Sequence, residues 1–351
     1  MTSLDLDARD LRDSVRAVLA RESTLDAVRA ATEEPERWRE AWAMAVELGW
    51  PAVAVPAEQG GLGLGVHAQA AILEEAGYAL FGAPLVSTTI AATALSTAPP
   101  SAARDGALGA IAAGAAATLA LGDPGLQVRA GSLDGSVPHV PDAGRAAIAV
   151  VLCGTASGPA LCVVDATSVV SSAGPGPDPN RPVGTLDFAA TPAERLPGGR
   201  PERAEQAARV LHAAELVGVA ARALDIAVEH AGRRRQFGRV IGEFQAVKHR
   251  LADDYVGLER ARSLTAAAAT ELDVNASGEG FEALSRMAKA AASEAAMTGV
   301  RDAIQVLGAM GITSECELPW LLRRARVGSQ LLGDARHHYA WLGSRPPEEA
   351  R

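Results

Sequence analysis

The sequence predicts a mainly helical α+β protein with an N-terminal helical domain, a small middle β domain and a C-terminal four-helix bundle. Three observations support this fold class: apolar residues recur at helical spacing towards both ends, short valine- and threonine-rich runs fill the middle, and glycine and proline mark the joins. The predicted domain limits are 1–115, 116–197 and 198–351. With 351 residues, 48% of them hydrophobic, the chain can bury a large core and divide into such domains.

The first predicted domain consists of helices joined by loops that glycine and proline mark. Its apolar residues recur every three or four positions in DLRDSVRAVLA, ERWREAWAMAVELGW and HAQAAILEEAGYALF. The last glycines of the segment 51–65 fall at alternate positions, which does not fit the GxGxxG pattern of a nucleotide-binding loop. We therefore predict that this segment is a turn between helices.

The middle and last predicted domains differ in periodicity. Short runs such as AAIAVVLC and VGTLDFAA, separated by clusters of glycine, proline and aspartate, predict β-strands. After residue 197 the helical spacing returns, as in AARVLHAAELVGVAARALDIAVEHAG. Four long segments with short connections predict a bundle, whose third and fourth helices are expected at about 280–308 and 317–343.

Charge and composition exclude several classes of protein. A formal net charge of −9 argues against a nucleic-acid-binding surface, which needs clustered positive charge. The N-terminus lacks an apolar leader, and the apolar stretch 107–122 is shorter than the ~20 residues of a membrane span, so we predict a cytoplasmic protein. The three cysteines have no metal-ligand spacing, and His337 and His338 would point apart on a helix, so no metal site is predicted.

The order of the domains and three separated motifs resemble the acyl-CoA dehydrogenase family over nearly the whole chain. The segment ELGWPAVAVPAEQGGLGLG looks like the family's N-terminal loop, and RRRQFGRVIGEFQAVKHRLAD is similar to its R-x-Q-F-G signature. The stretch from QVLGAMGITSE to LLGD matches the family's Q-x-x-G-G-x-G-x-T-x-E to E-G-T stretch without a gap. The resemblance implies an FAD-dependent oxidoreductase that acts on the CH–CH group of an acyl-CoA.

The resemblance also implies which residues bind the cofactor. Arg234 would pair with the FAD pyrophosphate, and Phe237 would pack on the cofactor. Gln305 and Gly308 would meet the adenosine half of an FAD held by a neighbouring subunit, where small residues at Gly308 and Ala309 let the backbone come close. A guanidinium group presents a planar donor fork that matches phosphate oxygens. The alternative is that arginines at this helix end only complement the helix dipole.

The sequence departs from the family at the catalytic base. The reaction needs a base for the Cα proton while hydride passes to the flavin, and a buried glutamate suits this role because burial raises its pKa. By resemblance, Leu332 occupies the position of that glutamate in most members, and Ala208 its position in a minority. Neither can accept a proton. His212 and Glu215, one and two turns beyond Ala208, are candidates for a displaced base, or else are structural polar residues.

The middle domain departs from the family as well. The segment LGDPGLQVRAG keeps only an acidic residue and the pair Pro124 and Gly125 from the family's T-E-P-x-x-G-S-D motif. A stretch reading GSVPHVPDAG replaces the tryptophan-containing strand that usually covers the flavin ring. Residues that would serve the distal part of FAD are thus kept, whereas those that would serve the ring and the chemistry are altered.

This selective retention predicts a subunit that completes the FAD site of a homologous partner. The stretch LLGDARHHYAWLG resembles the smaller, base-lacking subunits of actinobacterial heterotetrameric acyl-CoA dehydrogenases, which act on steroid side chains and other bulky CoA thioesters. We therefore predict an α2β2 complex, with an electron-transfer flavoprotein or a similar protein as the acceptor. Two alternatives stay open: a self-sufficient homo-oligomeric dehydrogenase with a displaced base, and a non-enzymatic family member.

Overall fold

The computed structural model describes residues 3–122, 126–156, 158–173, 176–274 and 278–345. Helices form the two ends and strands the middle, so the predicted mainly helical α+β fold class is confirmed. The first helices are α1 (Ser3–Glu22), α2 (Leu25–Glu33), α3 (Trp38–Glu47), α4 (Gly65–Tyr78), α5 (Leu85–Ser96) and α6 (Ala102–Ala112). The later helices are α7 (Pro201–Arg233), α8 (Gln245–Asp273), α9 (Glu279–Leu307), α10 (Leu318–Gln330) and α11 (Ala335–Gly343). The limits of the three domains remain predictions.

The strands of the middle region form two four-stranded sheets. They are β1 (Ala117–Leu121), β2 (Val128–Arg129), β3 (Ser132–Pro141), β4 (Ile148–Thr155), β5 (Gly158–Asp165), β6 (Val170–Ala173), β7 (Val183–Pro192) and β8 (Glu194–Leu196). One sheet has the order β1-β4-β5-β8 and the other β2-β3-β7-β6, and the neighbours are antiparallel except for β1 and β4. Their buried side chains, among them Leu133, Val151 and Leu186, form a separate apolar core.

The first helical part packs on the bundle where α4 crosses α7 at close range. A Cβ at Gly77 would lie 2.0 Å from the carbonyl oxygen of Glu215. One at Gly218 would lie 1.8 Å from the carbonyl oxygen of Glu74. Only glycine fits at both positions, and one continuous apolar core therefore runs from the N-terminal helices into the bundle.

The segment 51–65 lies between α3 and α4 as a loop with short 3₁₀ turns. Its last glycine, Gly65, begins α4, and the backbone N–H groups of Val66 and His67 donate to the carboxylate of Asp273. Because Asp273 ends α8, the anion-binding start of α4 is already filled by the chain's own carboxylate. This agrees with the prediction of a turn rather than a phosphate loop.

Helix α7 is the centre of the bundle and packs against α4, α5, α8 and α9. A short hairpin follows it, formed by β9 (Arg235–Gln236) and β10 (Arg239–Val240). Since α8 returns antiparallel to α7 and α9 runs back again, the ends of α7 and α9 lie at the same end of the bundle. The hairpin and the segment after α9 are therefore on one end of the molecule.

The prediction of a single fourth bundle helix at 317–343 is wrong in one respect. The structure has two helices there, α10 and α11. Between them, Leu332 and Gly333 adopt left-handed backbone with φ of +64° and +94°. The carboxylate of Asp334 accepts a hydrogen bond from the backbone N–H of His337 and so caps the start of α11. We call residues 330–334 the α10–α11 corner.

Candidate functional site

A cavity of about 860 Å³ lies where the N-terminal helices, the β-sheets and the bundle meet. Helix α5, strands β1 and β3, helices α7 and α10, and the α10–α11 corner form its walls. Its size is within the range of pockets that hold drug-sized ligands. Its lining residues include Thr118, His139, Ala208, His212 and Leu332 from these elements, and Arg181 from the segment before β7.

The structure brings together the two positions at which the family would carry its base. Ala208 on α7 and Leu332 at the α10–α11 corner both line the cavity. The methyl group of Ala208 and the isobutyl group of Leu332 cannot accept a proton. At these two positions the cavity wall is therefore apolar.

His212 lines the same cavity one helical turn beyond Ala208. Its side chain is buried, and burial lowers its pKa by more than the neighbouring Glu215 raises it, so the imidazole is neutral near pH 7. The Nδ1 atom lies 3.5 Å from Oε2 of Glu215, and neither ring nitrogen forms a hydrogen bond with the described residues. Of the two candidates for a displaced base, His212 is the one that reaches the cavity.

Glu215 is held in a buried ion-pair cluster instead. Its Oε1 accepts a hydrogen bond from Arg181 at 2.5 Å and one from Arg324 at 3.0 Å. Burial by itself would raise the pKa of Glu215, but the charges of Arg181 and Arg324 and the nearby His212 bring it below its usual value. A carboxylate with a lowered pKa is a poor proton acceptor, so this geometry favours a structural role for Glu215.

The ion-pair cluster around Glu215 has no signature in the sequence. Arg324 on α10 also donates to the carboxylate of Asp178, which lies 146 positions away in the chain. Arg324 donates further to the carbonyl oxygen of Phe81 at 3.3 Å. The cluster therefore joins the N-terminal helices, the segment before β7 and the bundle beneath the cavity. Residues so far apart show no common periodicity that a sequence pattern could reveal.

The five predicted cofactor residues lie away from the cavity, at the end of the bundle that carries the hairpin. Arg234 is the C-terminal cap of α7, Phe237 is in the hairpin with 91% of its surface exposed, and Gln305 is in the last turn of α9. Gly308 and Ala309 follow directly and are exposed as well. The five residues therefore lie on an exposed surface at this end of the bundle.

The three arginines at the end of α7 differ in their partners. Arg233 pairs with Glu229 at 2.6 Å, and Arg235 donates to the carbonyl oxygen of Gly238 at 3.0 Å. Within the described ranges the guanidinium group of Arg234 has no carboxylate within 4.0 Å. A free, exposed guanidinium group fits a phosphate ligand, because its donors are not already occupied. Arg234 therefore leaves guanidinium donors available for a phosphate group at this end of the bundle.

The middle domain offers less to a flavin ring. Strand β3 has no phenylalanine, tyrosine or tryptophan, and its His139 lines the cavity with a left-handed φ of +59°. Pro124 and Gly125, which the sequence keeps from the family motif, lie outside the described residues.

Nowhere in the described ranges do three or more His, Cys, Asp or Glu side chains gather in a way that could hold a metal ion. No helix among the described residues is long and apolar enough to cross a membrane.

Two family models match the chain. The acyl-CoA dehydrogenase N-terminal domain matches residues 6–115, and the acyl-CoA dehydrogenase C-terminal domain matches residues 203–339. The chain is 31% identical to the acyl-CoA dehydrogenase IpdE2 of Mycolicibacterium smegmatis, over 93% of this chain and 94% of that protein. It is 33% identical to FadE34 of Mycobacterium tuberculosis over 88% of this chain, although it spans only 42% of FadE34.

Solved structures with a similar fold include two that are named for two components. The ChsE4-ChsE5 complex from Mycobacterium tuberculosis contains a chain with a TM-score of 0.88 and 25% identity, and 99% of each chain is covered. A chain of the Tcur3481-Tcur3483 steroid ACAD, in its G363A variant, gives a TM-score of 0.87 and 27% identity, with 97% of each chain covered.

Proposed function

The chain belongs to the acyl-CoA dehydrogenase family, whose members are FAD flavoproteins, and on that premise we propose that it is the base-lacking subunit of an α2β2 dehydrogenase. The complex would oxidise a CoA thioester between Cα and Cβ. One observation carries the proposal: Ala208 and Leu332 line the cavity at the two expected base positions, whereas the exposed guanidinium group of Arg234 has no carboxylate partner among the described residues. Such a chain can complete a cofactor site without performing the proton abstraction.

The bound FAD would supply the acceptor for the hydride that leaves Cβ. This chain's contribution is to bind and orient the cofactor held mainly by its partner. Arg234 would donate to the pyrophosphate oxygens, and Phe237 would pack on the cofactor. Gln305, Gly308 and Ala309 would lie against the adenosine half, where the absence of long side chains at Gly308 and Ala309 lets the backbone approach. The partner would provide the glutamate that removes the Cα proton.

Similar proteins support a paired assembly and a bulky substrate. The solved structures that resemble this chain include the ChsE4-ChsE5 complex and the Tcur3481-Tcur3483 steroid ACAD, each named for two components. The cavity volume of about 860 Å³ is compatible with a bulky acyl group. We infer that the substrate class is a large CoA thioester such as a steroid side-chain thioester. An electron-transfer flavoprotein or a similar protein would accept the electrons.

A second candidate function has its own supporting observation. The neutral imidazole of His212 lines the cavity next to Ala208, and Glu215 lies beside its Nδ1 atom. A carboxylate at Nδ1 favours the tautomer whose Nε2 is free to accept a proton. A self-sufficient dehydrogenase would use His212 as the displaced base.

Co-expression tests the main proposal. The chain would be produced alone and together with a homologous chain that carries the glutamate, and each product would be analysed for subunit ratio and bound flavin. We expect a 1:1 complex that contains FAD, and little or no flavin in the chain alone. A homo-oligomer of this chain with one FAD per subunit would overturn the proposal in favour of the self-sufficient enzyme.

A further inference from the structure

Lys289 is a fully buried lysine in the middle of α9. The sequence contains one other lysine, Lys248, which is exposed near the start of α8. Lysine side chains are rarely buried completely unless their charge is matched by partners, because the ammonium group loses its hydration. Specific contacts must therefore compensate for the burial of the Lys289 ammonium group.

The ammonium group of Lys289 donates to three oxygen atoms. These are the hydroxyl of Ser293 at 2.9 Å, the carbonyl oxygen of Gly333 at 3.2 Å and the carbonyl oxygen of Ser329 at 3.5 Å. An ammonium group has three donors, so this arrangement uses all of them. Its partners are hydroxyl and carbonyl oxygens, and two of the three belong to the backbone: one lies at the end of α10 and the other within the α10–α11 corner.

Both backbone partners are carbonyl groups at the ends of helices, where the helix itself supplies no hydrogen-bond donor. Ser329 is in the last turn of α10, where carbonyl oxygens have no partner within the helix and a positive charge complements the helix dipole. The carbonyl oxygen of Gly333 directly precedes Asp334, the cap of α11. One side chain from α9 thus connects the end of α10 with the start of α11.

Leu332 lies between these two anchor points and is held in the left-handed region at φ of +64°. A leucine adopts such backbone only where its surroundings impose it. The same residue lines the cavity at the family's usual base position. The contacts of Lys289 are therefore the support behind this part of the cavity wall.

We propose that Lys289 is a positioning residue that fixes the α10–α11 corner and thereby holds Leu332 in the cavity wall. Its effect on ligand binding rests on the proposed function, because it requires that the cavity receives the acyl group. The effect of Lys289 on the α10–α11 corner does not depend on the proposed function. The two effects are measured separately.

Hydrogen exchange of the full chain, in its complex if one forms, tests the effect on the corner. In Lys289→Met we expect peptides that cover 328–336 to exchange at least about tenfold faster, while peptides from β4 and β5 keep their wild-type rates. Lys248→Met is the matched control, since it removes the other lysine from an exposed site and is expected to leave the corner unchanged. Unchanged exchange at 328–336, or equal acceleration throughout the chain, would contradict the proposal.

A milder variant keeps the test decisive if Lys289→Met does not fold. Lys289→Gln retains an amide donor and is expected to give an exchange rate at 328–336 between those of the wild type and the methionine variant. If its corner exchanged like the wild type, the proposal would be overturned. Calorimetric titration with octanoyl-CoA gives the separate readout: we expect about tenfold weaker binding to Lys289→Met than to the wild type. If octanoyl-CoA did not bind the wild type, the assumption that this cavity receives the acyl group would fail, and exchange would still decide the role of Lys289.

Discussion

Ala208 on α7 and Leu332 at the α10–α11 corner line the same cavity. These two residues come from parts of the chain more than a hundred positions apart, and the resemblance to the family predicts a base at one or the other. Since both are apolar, proton abstraction in this cavity would need a different residue, and His212 is the neutral candidate. This arrangement underlies our proposal that a partner subunit abstracts the proton and that this chain contributes the distal FAD contacts.

The exposed arginines at the end of α7 provide the first test. Arg234→Met is expected to lower the flavin content of the partner complex at least about tenfold, because a charge-assisted contact with phosphate is lost. Arg233→Met is the matched control, since Arg233 already pairs with Glu229. Flavin absorbance per complex measures both variants. Equal loss in the two would show that only the general charge of this surface matters.

His212 provides the second test. The imidazole is buried without a hydrogen-bond partner in the described part of the chain, so His212→Leu is expected to leave the free energy of unfolding unchanged or raise it. In the partner complex, the rate of flavin reduction by acyl-CoA is expected to stay at its wild-type value. Stopped-flow absorbance measures this rate. A fall of about 10²- to 10⁴-fold would instead identify His212 as the base.

The buried ion-pair cluster is expected to stabilise the fold. Arg324→Met leaves the carboxylates of Asp178 and Glu215 without one of their counter-charges, and we expect it to lower the free energy of unfolding by about 3–5 kcal/mol. Arg326→Met, two positions along the same helix and exposed, is expected to change it by less than about 0.5 kcal/mol. Urea unfolding measures both values. A loss at Arg324 no larger than at Arg326 would show that the cluster does not stabilise the fold.

Lys289 is expected to titrate far below the usual range of a lysine. Burial lowers the pKa of Lys289 to about 7, although the charge of Asp334 partly offsets this effect. Burial also lowers the pKa of His338 and of His212, and the charge of Lys289 lowers both further. Because the chain has two lysines, ¹³Cε-lysine NMR should give two resonances, one of which titrates near pH 7. Two resonances that both titrate near pH 10.5 would contradict the burial of Lys289.

The lowered pKa of Lys289 also makes stability depend on pH. Between pH 7 and 10.5 the folded state binds fewer protons at Lys289 than the unfolded state, so stability contributed by this group rises with pH over that window. The slope is at most about 1.4 kcal/mol per pH unit. Lys289→Met should lack this rise, and Lys248→Met should keep it. Unfolding curves recorded at pH 7 and pH 9 compare the three proteins.

Local periodicity predicts most of the fold. Helix α9 is expected at about 280–308 and spans Glu279–Leu307, because its apolar spacing is regular over its whole length. Periodicity does not predict the corner within the fourth helix, although Gly333 followed by Asp334 is a sequence that can end one helix and cap the next. The apolar spacing on both sides of the corner conceals this break.

The candidate site is less predictable from the residues themselves. The convergence of Ala208 and Leu332 follows from resemblance to the family, and the roles of Arg234, Phe237 and Gln305 remain predictions. The cluster around Glu215 and the anchor at Lys289 depend on contacts between distant segments. Such contacts have no local pattern, because a buried charged residue reads in the sequence like one on a solvated helix face.

Anaerobic flavin reduction in the partner complex tests most directly whether this chain lacks a catalytic base. The glutamate of the partner would be replaced by glutamine, and the visible spectrum of the bound flavin would be followed after addition of a steroid side-chain CoA thioester. If this chain contributes no base, the flavin stays oxidised, whereas the complex with the intact glutamate bleaches. Bleaching that persists without that glutamate would contradict the base-lacking role and would show that this chain carries a base of its own.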